Sequence, residues 1–85
     1  AKRVEKKVKV TLEEGLESRQ AAMFVQVANK YSSRIYIIME NRQVNAKSIM
    51  GLVSLGMLKD EEVSLQAEGP DEQDAVNELA KMIGQ

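Results

Sequence analysis

The sequence contains no cysteine and no histidine. Without cysteine it forms no disulfide, no thiolate metal site and no thiol nucleophile, which fits a cytosolic protein. Without histidine it lacks the commonest metal ligand and the side chain best suited to proton transfer at neutral pH. No paired-carboxylate or calcium-loop spacing takes their place. We therefore expect a protein with no metal, no cofactor and no enzyme activity.

Long apolar runs are also missing. No run approaches the ~20 residues of a membrane-spanning helix, and no signal-peptide pattern is present. Apolar residues make up 44% of the chain and charged residues 29%, which is an ordinary globular composition. A chain of this length has room for one modest core. We expect one cytoplasmic domain, residues 1–85, that does not contact a membrane.

The charges are unevenly distributed although the net charge is only −1. Basic residues crowd the beginning of the chain: Lys2, Arg3, Lys6, Lys7 and Lys9. Acidic residues crowd the end: Asp60, Glu61, Glu62, Glu68, Asp71, Glu72, Asp74 and Glu78. One explanation is a basic arm for nucleic acid, although binders of that kind usually carry a net basic surface. The other, which we prefer, is that two strands lie side by side and place Lys7 and Lys9 across from Glu62 and Glu68.

The spacing of apolar residues predicts the element order βαββαβα. Alternation predicts strands at residues 7–12 and 62–68, and β-rich composition predicts strands at 34–40 and 43–45 joined by a turn at Asn41-Arg42. Helical spacing predicts a helix from Arg19 to about Tyr31, capped by Ser18, and one from Asp71 to about Ile83. One-sided strands need one covered face, so an α+β fold with three helices on a four-stranded, largely antiparallel sheet is expected.

The segment NAKSIMGLVSLG, residues 45–56, predicts a further short helix that Ser48 caps and Gly56 follows. Leu52 and Leu55 would face the sheet. Three other residues of this helix form a neighbouring stripe, which we call the apolar patch: Ile49, Met50 and Val53. Such a helix is either wholly buried in a deeper core or exposes a contact surface.

Ser48 has two interpretations. As an N-cap it would accept a hydrogen bond from a free N–H group of the helix, and this role alone would explain a serine. A phosphate on the same oxygen would also be favoured by the helix N-terminus. It would add about two negative charges beside the apolar patch and could switch partners without refolding the domain.

The segment from Val44 to Gly56, VNAKSIMGLVSLG, closely resembles the regulatory-serine segment of the HPr family of bacterial phosphotransferase-system phosphocarriers. The element order agrees, as do the residue pairs Gly15-Leu16, Ser18-Arg19 and Ala21-Ala22. The resemblance implies an open-faced β-sandwich with strand order 1-4-2-3. It also implies that HPr kinase/phosphorylase phosphorylates Ser48, and that the product is a corepressor for a LacI-type catabolite control regulator. The apolar patch would contact partners; family members often carry methionine in place of Val53.

The same resemblance removes the sugar-transport function, because Glu17 stands where the family's phosphorylated histidine would be and Gln20 replaces a proline. Only Arg19 of that motif remains. The sequence is therefore similar to the Crh-like members of the family, which also lack this histidine and keep the serine. Glu17 departs from the glutamine usual there. Arg19 is expected to pair with Glu17 or with a phosphate on Ser48, and Lys47 to face the phosphate or the kinase.

Three functions are compatible with these residues. The first is the phosphorylation-dependent corepressor. The second is an unphosphorylated interaction module that binds a metabolic enzyme through the apolar patch. The third is a phosphocarrier that uses the Glu17 carboxylate, for which nothing in the sequence suggests a donor. A hinge at Glu13-Glu14-Gly15 permits either a monomer or a strand-exchanged homodimer.

Overall fold

The computed structural model describes residues 3–13 and 18–84, with the side chain of Ser18 left out. Its elements are β1 (Val4–Lys9), α1 (Ser18–Ala28), β2 (Arg34–Met39), β3 (Arg42–Asn45), α2 (Ile49–Leu55), β4 (Glu62–Glu68) and α3 (Glu72–Ile83). The predicted order βαββαβα is confirmed.

The four strands form one antiparallel sheet in the order β1-β4-β2-β3, which confirms both the α+β class and the expected strand order. On the inner face of β4, Val63, Leu65 and Ala67 are buried as predicted. The three helices cover this inner face and leave the outer face open, so the fold is an open-faced β-sandwich. The buried stripe predicted for α3 is also confirmed: Ala75, Val76, Leu79 and Ile83.

Strand β1 begins and ends three residues earlier than predicted. Val10 is buried as expected, but it forms only an isolated bridge with Gly84. The next residue donates a backbone hydrogen bond to the end of α3, from Thr11 N to Ile83 O at 2.9 Å. Val10 still bonds Asp60 and Glu61 just before β4, and the chain turns to the end of α3 only at Thr11.

Helix α1 differs from its prediction at both ends. Ser18 is the first helical residue rather than the N-cap, and residues 14–17, which precede it, lie outside the described residues. The helix ends at Ala28 instead of about Tyr31. Beyond Ala28 the backbone makes tighter bonds, from Lys30 N to Val27 O and from Tyr31 N to Ala28 O, at 3.0 and 3.2 Å. These bonds join residues three positions apart, as in a 3₁₀ turn, and they satisfy carbonyl groups that a longer α-helix would have bonded.

The hairpin turn consists of Glu40 and Asn41, one residue earlier than predicted, because Met39 pairs with Arg42. Glu40 adopts a positive φ of 57°, a conformation that glycine and asparagine adopt more readily than glutamate. The basic first strand does pair with the acidic fourth strand.

Only one of the predicted charge pairs across those strands is observed. Lys9 lies opposite Glu62, but Lys7 lies opposite Ser64, so the prediction is wrong for Lys7. It is also wrong for Glu68, which lies opposite Arg34 of β2. The alternation places both lysines on the outer face, but the register decides which residue each one meets.

Candidate functional site

The segment around Ser48 forms the helix that its sequence predicts. Ser48 has extended backbone angles, φ −114° and ψ 117°, and its Oγ accepts a hydrogen bond from Gly51 N at 3.1 Å. At the other end Gly56 is left-handed, with φ 66°, and its N–H donates to Val53 O at 3.2 Å. The predicted N-cap and the predicted stop are both confirmed.

The chain before α2 is fixed to the sheet and to itself. Ala46 N donates to Ile35 O at 2.9 Å, and Lys47 N donates to Asn45 Oδ1 at 2.8 Å. A side chain at Gly51 would lie 3.3 Å from Val44 Cβ of strand β3. The glycine therefore allows the first turn of α2, with Ser48 at its start, to approach β3 closely.

The end of α2 has its own contacts. The Arg42 guanidinium, from β3, donates to the Ser54 carbonyl oxygen. Ser54 Oγ donates to Gly51 O at 2.8 Å. A cation at the last carbonyls of a helix is favourable because the peptide dipoles leave partial negative charge there. Helix α2 is thus held by β3 at both ends although it has only 7 residues.

Helix α2 has one buried and one exposed face, as predicted. Leu52 and Leu55 are buried in the core. The apolar patch is exposed: Ile49 at 44%, Met50 at 83% and Val53 at 44%. The alternative of a deeper core is therefore wrong for these residues. An exposed group of large apolar side chains on a small domain is typical of a contact surface.

Ser48 is half-buried, and its hydroxyl lies at the start of the helix that carries the patch. Ile49 and Met50 follow it directly, and Val53 comes one turn later on the same helix. A modification of Ser48 Oγ would therefore change the border of the patch. It would also replace the hydroxyl that accepts from Gly51 N.

Lys47 lies beside Ser48 in the chain, but its ammonium has a partner elsewhere. Lys47 Nζ donates to the backbone carbonyl of Tyr31 at 2.8 Å, and the side chain is half-buried. In this structure it links the start of α2 to the connection between α1 and β2. Its expected role toward a phosphate remains a prediction.

Arg19 is the second residue of α1 and its side chain is exposed. Helix α1 packs against α2, so both helices contribute to one side of the molecule. Glu17 lies outside the described residues, and the predicted pair between Glu17 and Arg19 stays a prediction.

The sequence analysis missed a set of bonds that ties the α1–β2 connection to α3. Tyr31 Oη donates to Glu78 Oε1, and Lys30 Nζ lies 3.3 Å from Glu78 Oε2. The hydrogen bond to the Glu78 carboxylate, with some desolvation, raises the pKa of Tyr31 to about 12. The hydrogen bond from Tyr31 in turn lowers the pKa of Glu78. No sequence signal marks this pair, because the two residues lie far apart in the chain.

Asp71 makes the second link to the same connection. Its carboxylate accepts from Ser32 N at 2.9 Å, from Ser33 N at 3.0 Å and from the Ser33 hydroxyl. The Ser33 hydroxyl, followed by the two backbone bonds, lowers the pKa of Asp71 below its ordinary value of 3.8. Together with Tyr31 and Glu78 this carboxylate fixes the connection that accepts the Lys47 ammonium.

Residues 3–13 and 18–84 contain no group of three or more acidic side chains placed to hold a metal ion. Within that same part of the chain, no helix has both the length and the apolar character needed to cross a membrane.

A model of the HPr family, described as the PTS HPr component phosphorylation site, matches residues 4–85. The chain belongs to the HPr family. The HPr-like protein Crh of Bacillus subtilis is 48% identical over 80 residues, which are 94% of each chain.

Solved structures of HPr family members agree with this fold. A crystal structure of the phosphocarrier protein HPr of Bacillus anthracis matches with a TM-score of 0.94 and 40% identity, over 98% of this chain and 99% of that one. A crystal structure of Bacillus subtilis Crh matches with a TM-score of 0.76 and 48% identity, over 93% and 91% of the two chains. That Crh structure is described as a swapped dimer.

Proposed function

We propose that this protein is a non-catalytic regulator of carbon catabolite repression that works as a Crh-like member of the HPr family. HPr kinase/phosphorylase phosphorylates Ser48, and the phosphorylated protein is a corepressor for a LacI-type catabolite control regulator in the cytoplasm. The observation that carries the proposal is the position of Ser48 at the border of an exposed apolar patch. Its likeness to Crh, and a sequence without histidine, support it.

Phosphorylation would change the patch without changing the core. Leu52 and Leu55 hold α2 in place from its buried face, so the helix does not depend on Ser48 alone. A phosphoserine adds about −1.5 to −2 charge at neutral pH. A partner would then meet apolar side chains bordered by a dianion. Such a surface is selective, because the apolar contact gives affinity while the charge excludes partners without a matching cation.

Arg19 and Lys47 complete the proposed interface. Arg19 is exposed on the helix that packs against α2, and it would contact the partner or the phosphate. Lys47 would be recruited from the Tyr31 carbonyl by the charge on its neighbour. Both residues favour an anionic Ser48 because they bring positive charge to the same side of the molecule.

The first experiment is an intact mass measurement after incubation with HPr kinase and ATP. We expect one phosphate on the unaltered chain and none on Ser48→Ala. Ser54→Ala is a matched control, since it removes another serine hydroxyl of α2 and should still accept one phosphate. A chain that stays unmodified, while the same kinase phosphorylates an ordinary HPr, would make Ser48 only a helix cap.

The second experiment measures binding of the phosphorylated protein to a LacI-type catabolite control regulator. Binding should require both the kinase treatment and Ser48. Equal binding by untreated protein or by Ser48→Ala would contradict the phosphorylation-dependent corepressor.

The second candidate function is an unphosphorylated module that binds a metabolic enzyme through the apolar patch. The exposure of the patch in the unmodified protein favours it. In this case Val53→Asp should abolish binding whether or not Ser48 carries phosphate. A variant that binds the enzyme as well as the unaltered chain would exclude the patch as its contact surface.

The third function, a carboxyl phosphocarrier, has a chemical test. An acyl phosphate on Glu17 is a mixed anhydride that hydrolyses in acid as well as in mild base, whereas a serine phosphate is stable in acid. Phosphate that survives acid treatment and disappears in Ser48→Ala would contradict the carrier.

The oligomeric state is part of the proposal. In this structure β1 pairs with β4 of its own chain, the arrangement of a monomer. The same strand could pair with β4 of a second copy, as the swapped Crh dimer suggests. Sedimentation across a range of concentrations separates the two states: one slow species at every concentration would exclude the exchanged dimer.

A further inference from the structure

The apolar patch contains an oxidisable side chain, and its exposure sets it apart from the other methionines. The chain has five methionines and no cysteine, so no thiol competes for a peroxide. Met50 is 83% exposed and Met23 is 54% exposed. Met82 is half-buried, whereas Met39 and Met57 are buried at 6% and 1%. Because oxidation of a thioether requires contact with the oxidant, this order of exposure is also the expected order of reaction.

We propose that Met50 is a reversible oxidation site whose sulfoxide weakens docking of the apolar patch. The inference depends on the proposed function, because it concerns the surface through which the partner would bind. Ile49 and Val53, the other members of the patch, cannot be oxidised under the same conditions. Met50 is therefore the single position at which a peroxide changes the chemistry of the patch.

The reaction is a two-electron oxygen transfer. A lone pair of the Met50 sulfur attacks one oxygen of hydrogen peroxide, the O–O bond breaks, and an S=O bond forms. The sulfur is oxidised, and the peroxide is reduced to one molecule of water after proton transfer to the leaving oxygen. The product is methionine sulfoxide, which methionine sulfoxide reductases return to the thioether.

The consequence for docking follows from solvation. A methionine thioether is flexible and apolar, and it adapts its shape to a partner surface. Its sulfoxide carries a strong hydrogen-bond acceptor that loses water when the patch is covered. An acceptor buried without a partner would weaken the affinity by roughly tenfold to a hundredfold. The fold should be unaffected, because Met50 lies outside the core.

The test treats the phosphorylated protein with hydrogen peroxide and follows each methionine by peptide mass. Met50 should gain one oxygen before Met23, and Met39 and Met57 should stay unmodified while circular dichroism shows an intact fold. Affinity for the LacI-type regulator should fall about tenfold or more and return after treatment with methionine sulfoxide reductase. Oxidation that begins at another methionine would overturn the proposal, as would unchanged affinity of protein that carries the Met50 sulfoxide.

Two variants identify the methionine whose oxidation lowers the affinity. Met50→Leu removes the thioether, so its affinity for the regulator, whatever its value before treatment, should not change when peroxide is added. Met23→Leu removes the other exposed methionine and should remain sensitive. The reverse pattern would overturn the assignment to Met50. If the phosphorylated protein failed to bind the regulator before any peroxide was added, the proposed function would be overturned instead. The peptide masses would still decide the order in which the methionines are oxidised.

Discussion

Helices α2 and α3 each begin after a side chain that can cap a helix, but the two side chains bind different partners. Ser48 Oγ accepts from Gly51 N of its own helix. Asp71, in the same position before α3, makes no side-chain bond to its helix. Its carboxylate instead accepts from Ser32 and Ser33 of the α1–β2 connection.

This difference separates a local helix start from a tertiary one. The cap bond of α2 joins residues three positions apart, and its loss affects one turn of backbone, because Ala46 and Lys47 separately hold the preceding segment. The start of α3 joins segments that are 38 or more residues apart in the chain. A covalent modification at Ser48 can therefore leave the fold intact, whereas the loss of Asp71 would remove one of the two links between the α1–β2 connection and α3, the other being made by Glu78.

The largest effect is expected at a glycine of the tertiary start. Gly69 has φ 152°, and a Cβ there would lie 2.7 Å from Ser33 Cα. Gly69→Ala should lower the free energy of unfolding by about 2–4 kcal/mol, because it adds a backbone clash to an unfavourable φ. The matched control is Gly56→Ala at the end of α2, where a Cβ meets nothing within 4 Å.

Gly56→Ala should lower the free energy of unfolding by only about 1 kcal/mol, because alanine is less stable than glycine in the left-handed conformation. Urea unfolding of the two variants under one condition measures both values. Equal losses would show that the close approach of Gly69 to Ser33 adds nothing to the strain of the backbone conformation.

The order of elements and the division of α2 into two faces could be predicted from the sequence, because both follow from periods that each segment carries by itself. Leu52 and Leu55 are three residues apart, and that spacing alone placed them together. The partners of Lys7, Glu68 and Lys47 could not be predicted. They depend on strand register or on a carbonyl elsewhere in the chain, and neither leaves a signal in the local sequence.

The next effect is expected at Asp71 and depends on pH. Asp71→Asn should destabilise the protein at pH 7, because the charged acceptor of three hydrogen bonds becomes a neutral amide. Asp74→Asn is the control, since Asp74 is an exposed acid in the first turn of the same helix. It should cost less, which denaturant unfolding of both variants would show.

The pH dependence has a definite sign. The folded state lowers the pKa of Asp71 below 3.8, so its stabilising contribution is present above that value. It is lost as the pH falls through the lowered pKa. The stability difference between the unaltered chain and Asp71→Asn should therefore shrink in acid. If the stability difference between the two proteins grew as the pH falls, a group other than Asp71 would be responsible for the pH dependence.

A smaller loss is expected at Ser48. Ser48→Ala removes the acceptor for Gly51 N and should lower the free energy of unfolding by about 1 kcal/mol. Ser54→Ala removes only a hydroxyl that donates back to Gly51 O, and it should change the stability by less than about 0.5 kcal/mol. Thermal unfolding of both variants, each checked for an intact sheet by circular dichroism, compares them. A larger loss in Ser54→Ala would contradict the capping role.

The smallest effect is expected for Tyr31→Phe, because the Tyr31 side chain is only half-buried and water can replace part of its bond to Glu78. The variant should be slightly less stable than the unaltered chain near neutral pH. The pKa of Glu78 is lowered from 4.5, so the difference should shrink as the pH falls from that value through the lowered pKa.

The pKa of Tyr31 is raised from 10.0 to about 12, so the difference should also disappear as the pH rises through that interval. Denaturant unfolding from pH 3 to pH 11 should show a difference that is largest near neutral pH and smaller at both ends of the range. A difference that keeps its neutral-pH value at both ends would place the stabilising contact of Tyr31 on its ring rather than its hydroxyl. The Tyr31 backbone, which accepts from Lys47, is unchanged in Tyr31→Phe. Phosphorylation of Ser48 should therefore proceed equally in both proteins, and a slower reaction in the variant would show that the bond to Glu78 also determines the conformation before α2.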